Sequence, residues 1–169
     1  MWDTQFLELF NRCRKLHAEG RRDFENFYRD GDRRFLESIG YQIREFYDFV
    51  EDLNNEGEPS ASTALLVAAV RRDYFLTIQK GVRSTKVLDR DQVPTFGDAL
   101  DGISYLPRII AKAQAKLRGE LDPDLMYGCG GDRNFLQKHG EKHLADFLRH
   151  VWAAGENHQK IVDFVRGRA

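Results

Sequence analysis

Apolar residues recur along most of the chain at spacings of three and four, the pattern of helices that bury one face. In the first stretch Phe6, Leu9, Phe10, Cys13 and Leu16 keep this period, with Asp3 placed to cap the start and Gly20 to end it. A short segment carrying Phe24, Phe27 and Tyr28 follows, then a predicted helix from Arg33 to Ile39 with Asp32 as N-cap and Gly40 as stop. Tyr41 to Leu53 places Ile43, Phe46, Tyr47, Val50 and Leu53 on one side. Beyond a polar loop at 54–62, Ser62 or Thr63 can cap a helix that runs to Gln79. Its first turns, Ala64 to Val70, are apolar on every face, which predicts a central buried helix.

Residues 81–96 show no period and read as a connector. Leu106 to Leu117 is a helix with Pro107 in its first turn and Gly119 as its stop. A turn-rich stretch at 121–131 precedes three closing helices, Asp132 to His139, Glu141 to Ala154 and Glu156 to Arg166. Alternation of β-branched and polar residues is nearly absent, so the expected fold class is all-α.

A phrase occurs twice, one hundred positions apart: Gly-Asp-Arg-Arg-Phe-Leu at 31–36 and Gly-Asp-Arg-Asn-Phe-Leu at 131–136, with Gly40 and Gly140 following at the same distance. Phe6, Leu9, Phe10 and Cys13 fall opposite Leu106, Ile109, Ile110 and Ala113 at that spacing. Tyr28 meets Tyr127 if the spacing drops by one, and Ile43, Phe46, Tyr47 and Val50 meet Leu144, Phe147, Leu148 and Val151 if it grows by one. Both slips fall in turns, where insertions are tolerated. The expectation is one domain, 1–169, made of pseudo-repeated halves 1–80 and 97–169 around the hydrophobic helix, joined by connector 81–96.

The second half also carries a likeness. Leu106-Pro107-Arg108-Ile109-Ile110, Lys112-Ala113, Leu117-Arg118-Gly119, then Tyr127, Cys129, Asp132, Arg133, Phe135 and Leu136, together with the closing stretch Val151-Trp152-Ala153-Ala154-Gly155, resemble an uncharacterised bacterial family, domain of unknown function 5069. The resemblance covers residues 100–169 and implies a small helical bacterial protein. It implies no activity, cofactor or catalytic residue.

Composition narrows the classes further. A charged fraction of 31% nearly cancels to a net charge of -1, which gives no global pull toward nucleic acid or anionic lipid. The longest apolar run, Ala64 to Val70, is far short of the roughly 20 residues a membrane span needs. No basic-then-apolar leader stands at the start, and the two cysteines, Cys13 and Cys129, form no metal-type pair, so a reduced, cytoplasmic setting is expected.

Three constellations are candidates for chemistry. The glycines of Tyr127-Gly128-Cys129-Gly130-Gly131-Asp132-Arg133 can leave amides facing an anion, and Cys129 at a helix start is a candidate nucleophile. The plain alternative is a tight turn that needs glycine torsions. The loop lacks the Lys-Ser or Lys-Thr of a P-loop, no strand precedes it as a dinucleotide fingerprint requires, and no cofactor is expected. His143, Asp146 and His150, with His139 beyond the break at Gly140, are candidate metal ligands on one helix face. Against them, the repeat aligns these three with Gln42, Glu45 and Phe49, a solvated flank rather than a site. Arg33 and Arg133 recur after an acid, either as latches on loop carbonyls or as paired anion binders.

The first half is rich in aromatics, from Trp2 and Phe6 to Phe49, and a surplus left outside the core would make a surface for homo-oligomerisation. The leading expectation is a non-catalytic binding or interaction module whose ligand the sequence does not name. The alternative is an enzyme or small-anion binder that uses the Cys129 loop with Arg133.

Overall fold

The computed structural model describes residues 1–168. Among these residues it is an all-α protein of eight helices with a single two-stranded hairpin. Its contacts divide it into two compact units, Met1–Arg83 and Ser84–Ala169.

In the first unit α1 (Trp2–Ala18), α2 (Asp30–Ser38), α3 (Ile43–Glu56) and α4 (Ala61–Thr77) follow one another, with a 3-10 turn at Phe24–Phe27. The expected periods hold, but the starts shift. Asp3 does not cap α1, whose N-cap is Met1; the Asp3 carboxylate takes the neighbouring Thr4 amide instead. Ser60, rather than Ser62 or Thr63, caps α4 by accepting from the Thr63 amide at 3.1 Å. α1 lies along α3 and α4. Phe6 and Phe10 meet Phe46 edge to face with centroids 5.0 and 5.6 Å apart, and Tyr41 joins them.

This packing absorbs the aromatic surplus. Phe6, Phe10, Phe27, Tyr28, Phe35, Tyr41, Phe46, Tyr47 and Phe49 are buried, and Trp2 and Phe24 are half-buried. The aromatic surface expected for self-association is therefore not on this half. Helix α4 buries Ala64, Val67, Ala68, Val70, Arg71 and Phe75 and leaves Leu66 and Leu76 exposed.

The second unit contains β1 (Ala99–Leu100), β2 (Ile103–Ser104), α5 (Leu106–Arg118), α6 (Gly130–Lys138), α7 (Leu144–Ala154) and α8 (His158–Val165). The two strands pair antiparallel about Asp101 and Gly102, both at positive φ (50° and 76°), as a tight hairpin requires. Arg166 ties the hairpin tip to the end of α8 through the carboxylate and carbonyl of Asp101. α5 packs on α7, and α7 on α8.

The stretch read as a connector is pinned within this unit. Leu88 bridges to Leu121 and donates to the Glu120 carbonyl, and the Ser84 hydroxyl donates to the Glu120 carboxylate at 2.6 Å. Such anchors are single polar contacts, which leave no hydrophobic period in a sequence. No helix among the described residues is long and apolar enough to cross a membrane.

Candidate functional site around Asp132 and Cys129

The glycine loop leads into α6 with Cys129 as its N-cap residue. Asp132 is therefore not the cap, as its position after the glycines suggests, but the third helical residue, and its side chain turns back over the loop. Its carboxylate is fully buried (0% exposed) and takes four contacts. The Gly128 amide donates to Oδ2 at 2.7 Å, and the Tyr105 hydroxyl donates to Oδ1 at 2.8 Å. The Lys112 ammonium reaches Oδ1 at 2.8 Å and Oδ2 at 2.7 Å.

Four contacts fill a carboxylate's acceptor sites. Asp132 thus acts as an internal anion at the start of α6, in the place where an external one would sit.

Lys112 is itself only 2% exposed, on the face of α5 that carries Ile109 and Ala113. Its ammonium spans both Asp132 oxygens and also donates to the sulfur of the half-buried Cys129, 3.3 Å away. Tyr105 stands just before α5 with φ +74°, a left-handed conformation that costs a residue other than glycine about 1–2 kcal/mol. Three contacts hold it there: its hydroxyl bond to Asp132, the Phe135 ring at 5.5 Å and the Phe96 ring at 5.8 Å. Burial, reinforced by the adjoining Asp132 charge, pushes the Tyr105 pKa up, so the hydroxyl stays a donor.

Arg133 donates to the Gly128 carbonyl at 2.8 Å, closing the loop from its other side. In the first unit Arg33 donates to the Glu25 carbonyl, and the Arg12 guanidinium pairs with Asp32, whose Oδ2 also accepts from the Arg29 amide at 2.7 Å. Asp32, like Asp132, is a third helical residue rather than an N-cap. The tyrosines correspond as well. Tyr28 donates to the Ile43 carbonyl at 2.9 Å, and Tyr127 to the Leu144 carbonyl at 2.8 Å.

The other thiol is a contrast. Cys13 is fully buried in the first unit, and burial pushes its pKa up to about 12.

The histidine stripe does not assemble. Gly140 and Glu141, at φ +92° and +53°, break the chain between α6 and α7. The His139 Nδ1 lies 2.7 Å from the Phe135 carbonyl. His143 caps α7 by accepting from the Ala145 amide at 3.1 Å, as Gln42 stands at the N-cap of α3. Asp146 pairs with Arg149 at 3.1 Å, and His150 stacks on Phe164 with centroids 3.6 Å apart. Among the described residues no three His, Cys, Asp or Glu side chains come together as a metal site.

Sequence reasoning missed Lys112 and Tyr105. The signal for Lys112 was present: it sits three residues after Ile109, on the apolar stripe, and one hundred after Arg12, just as Asp132 sits one hundred after Asp32. Tyr105 left no such mark, because nothing local predicts its positive φ.

No protein-family model, no curated protein and no solved structure matches this chain.

Proposed function

We propose that the chain is a non-catalytic helical interaction module of the bacterial cytoplasm that contacts a second copy of itself through the surface around Phe96. The observation that carries this reading is the state of Phe96. Its side chain is 68% exposed, yet it is not loose. The Arg108 guanidinium lies over the ring at 4.4 Å from its centroid, and Arg108 is fixed in turn by donating to the Pro94 carbonyl at 2.9 Å. Aromatic and arginine side chains dominate interface energetics, and a side chain held in place beforehand loses less entropy on binding. The net charge of -1 leaves little long-range repulsion between copies.

The buried polar groups described above support the absence of catalysis, since Asp132, Lys112 and Arg133 all serve the loop itself. Light scattering across a concentration series tests the proposal. The expected result is a dimer that Phe96→Asp converts to a monomer. A wild-type chain that stays monomeric at the highest concentrations overturns self-association.

The same proposal includes descent of the two units from one duplicated unit. Its support is the shared set of bonds: Arg12 or Lys112 on Asp32 or Asp132, and Tyr28 or Tyr127 on a carbonyl at the start of the helix after next. The likeness of residues 100–169 to domain of unknown function 5069 belongs with it and adds no activity.

A further inference from the structure

We propose that the corner between α2 and α3 in the first unit binds a phosphate group, held between Arg71 and Arg83. Arg71 lies on the buried face of α4 and is only 1% exposed. A buried guanidinium needs a counter-charge and acceptors for its five N–H donors. The contacts it makes are with neutral groups. Its Nη1 donates to Gln79 Oε1 at 2.8 Å, and its carbon lies 5.2 Å from the centroid of the Phe75 ring. Its Nε, fully buried, has no acceptor among the described residues.

With Nη1 engaged, the remaining edge is Nε with Nη2, the fork that grips two oxygens of one anion. Nη2 stands at the corner itself: Gly40 has φ +76°, and a Cβ built there would lie 2.9 Å from it. Arg83 reaches the same corner from the turn after α4, donating to the carbonyl of the next residue, Tyr41, at 2.6 Å. Two guanidinium groups therefore gather on consecutive residues, and the first feels the second. Burial lowers the Arg71 pKa, and the Arg83 charge adds to that effect while Glu45 opposes it.

The corner also leads into α3, whose N-cap is Gln42, so the positive end of that helix adds to the two cations. Against them stands Glu45, whose carboxylate accepts from the Gln42 amide at 2.8 Å. Two guanidinium charges and a helix start outweigh one carboxylate. A phosphate group brings the missing negative charge and three acceptor oxygens, enough for the Arg71 fork and for Arg83 together. The corner is within reach of solvent, since Arg83 is exposed and Gln42, Glu45 and Gln79 are half-buried.

The test titrates the native chain with inorganic phosphate and, separately, with phenyl phosphate, at constant ionic strength in chloride. Calorimetry should find a saturable site that Arg83→Gln weakens by about tenfold or more. Arg83 is exposed, so this variant keeps the fold. Arg71→Met should abolish binding; if it fails to fold, Arg83→Gln decides alone. Thermal melting gives a second reading. At a phosphate concentration tenfold above Kd the midpoint should rise by about 3–6 °C, and Arg83→Gln should lose that rise, which general stabilisation by phosphate would leave intact. Equal affinity for the two compounds identifies the free ion as the ligand, and tighter binding of phenyl phosphate identifies a phosphate carried on a larger molecule. Melting no higher in either compound than in chloride, or undiminished binding by Arg83→Gln, overturns the proposal. Neither result bears on the Phe96 surface, whose test reads mass in solution.

Discussion

Replacing Lys112 with Met should be among the most damaging single changes in the second unit. The substitution keeps the apolar stem in place and removes the charge. Asp132 would then remain fully buried with the Gly128 amide and the Tyr105 hydroxyl but without its cation. Breaking a buried pair from one side costs about 3–5 kcal/mol, because a buried charge is left uncompensated. The first unit provides the control. Arg12 and Asp32 make the corresponding pair with side chains 31% and 16% exposed, so water compensates much of the loss, and Arg12→Met should cost only about 1 kcal/mol. The double variant Lys112→Met, Asp132→Leu should not return to wild type. It orphans the Gly128 amide and the Tyr105 hydroxyl, each worth about 1–3 kcal/mol when left unsatisfied.

Urea unfolding followed by tryptophan fluorescence measures these changes. The chain's two tryptophans divide between the units, Trp2 in the first and Trp152 in the second. A Trp2→Phe background therefore isolates the signal of the second. A Lys112→Met loss no greater than that of Arg12→Met would refute the reasoning, since burial would then make no difference to the pair.

Other outcomes follow from single positions. Gly40 has φ +76°, and a Cβ there would lie 2.7 Å from Phe75 Cγ and 2.9 Å from an Arg71 nitrogen, so Gly40→Ala should cost about 2–4 kcal/mol by thermal melting. Gly140 has a similar torsion but meets only the flexible Lys142 end at 3.3 Å, so Gly140→Ala should cost about 1–2 kcal/mol. His17 is buried with its Nδ1 3.0 Å from the Asn54 amide nitrogen, and burial, aided by Arg22, lowers its pKa from 6.5. Below about pH 6.5 the unfolded chain therefore binds a proton that the folded one resists, and stability falls with pH until the folded-state pKa is passed. Denaturation midpoints between pH 5 and 8 should show this slope, and His17→Phe should flatten it.

Helix positions were legible where the chain punctuates them: Gly119 ends α5 at φ +69°, the stop the sequence marks, whereas α3 runs past the expected end at Leu53 to Glu56 and closes on Gly57 at φ +79°, inside the stretch read as a polar loop. Helix starts were less legible, because Ser60, Ser62 and Thr63 are all good caps and only the traced backbone selects Ser60. The candidate loop was found from its glycines, but the contacts that fill it were not. The inward turn of Asp132 depends on a lysine twenty residues earlier. Lysine on an apolar stripe is ordinarily an exposed flank whose stem lies along the surface. Only the spacing marked it as something else, since Lys112 and Asp132 stand one hundred positions after Arg12 and Asp32.

Tyr105 carries two demands that pull against each other. Its main chain bends in a way that suits glycine, while its ring and phenol are needed by Asp132, Phe135 and Phe96. Glycine would relieve the torsion and forfeit every contact; phenylalanine would keep the rings and strand the carboxylate's partner. Over evolutionary time such a position has almost no neutral neighbours, so drift at 105 must wait for a compensating change at 132, and the two sites should vary together or not at all.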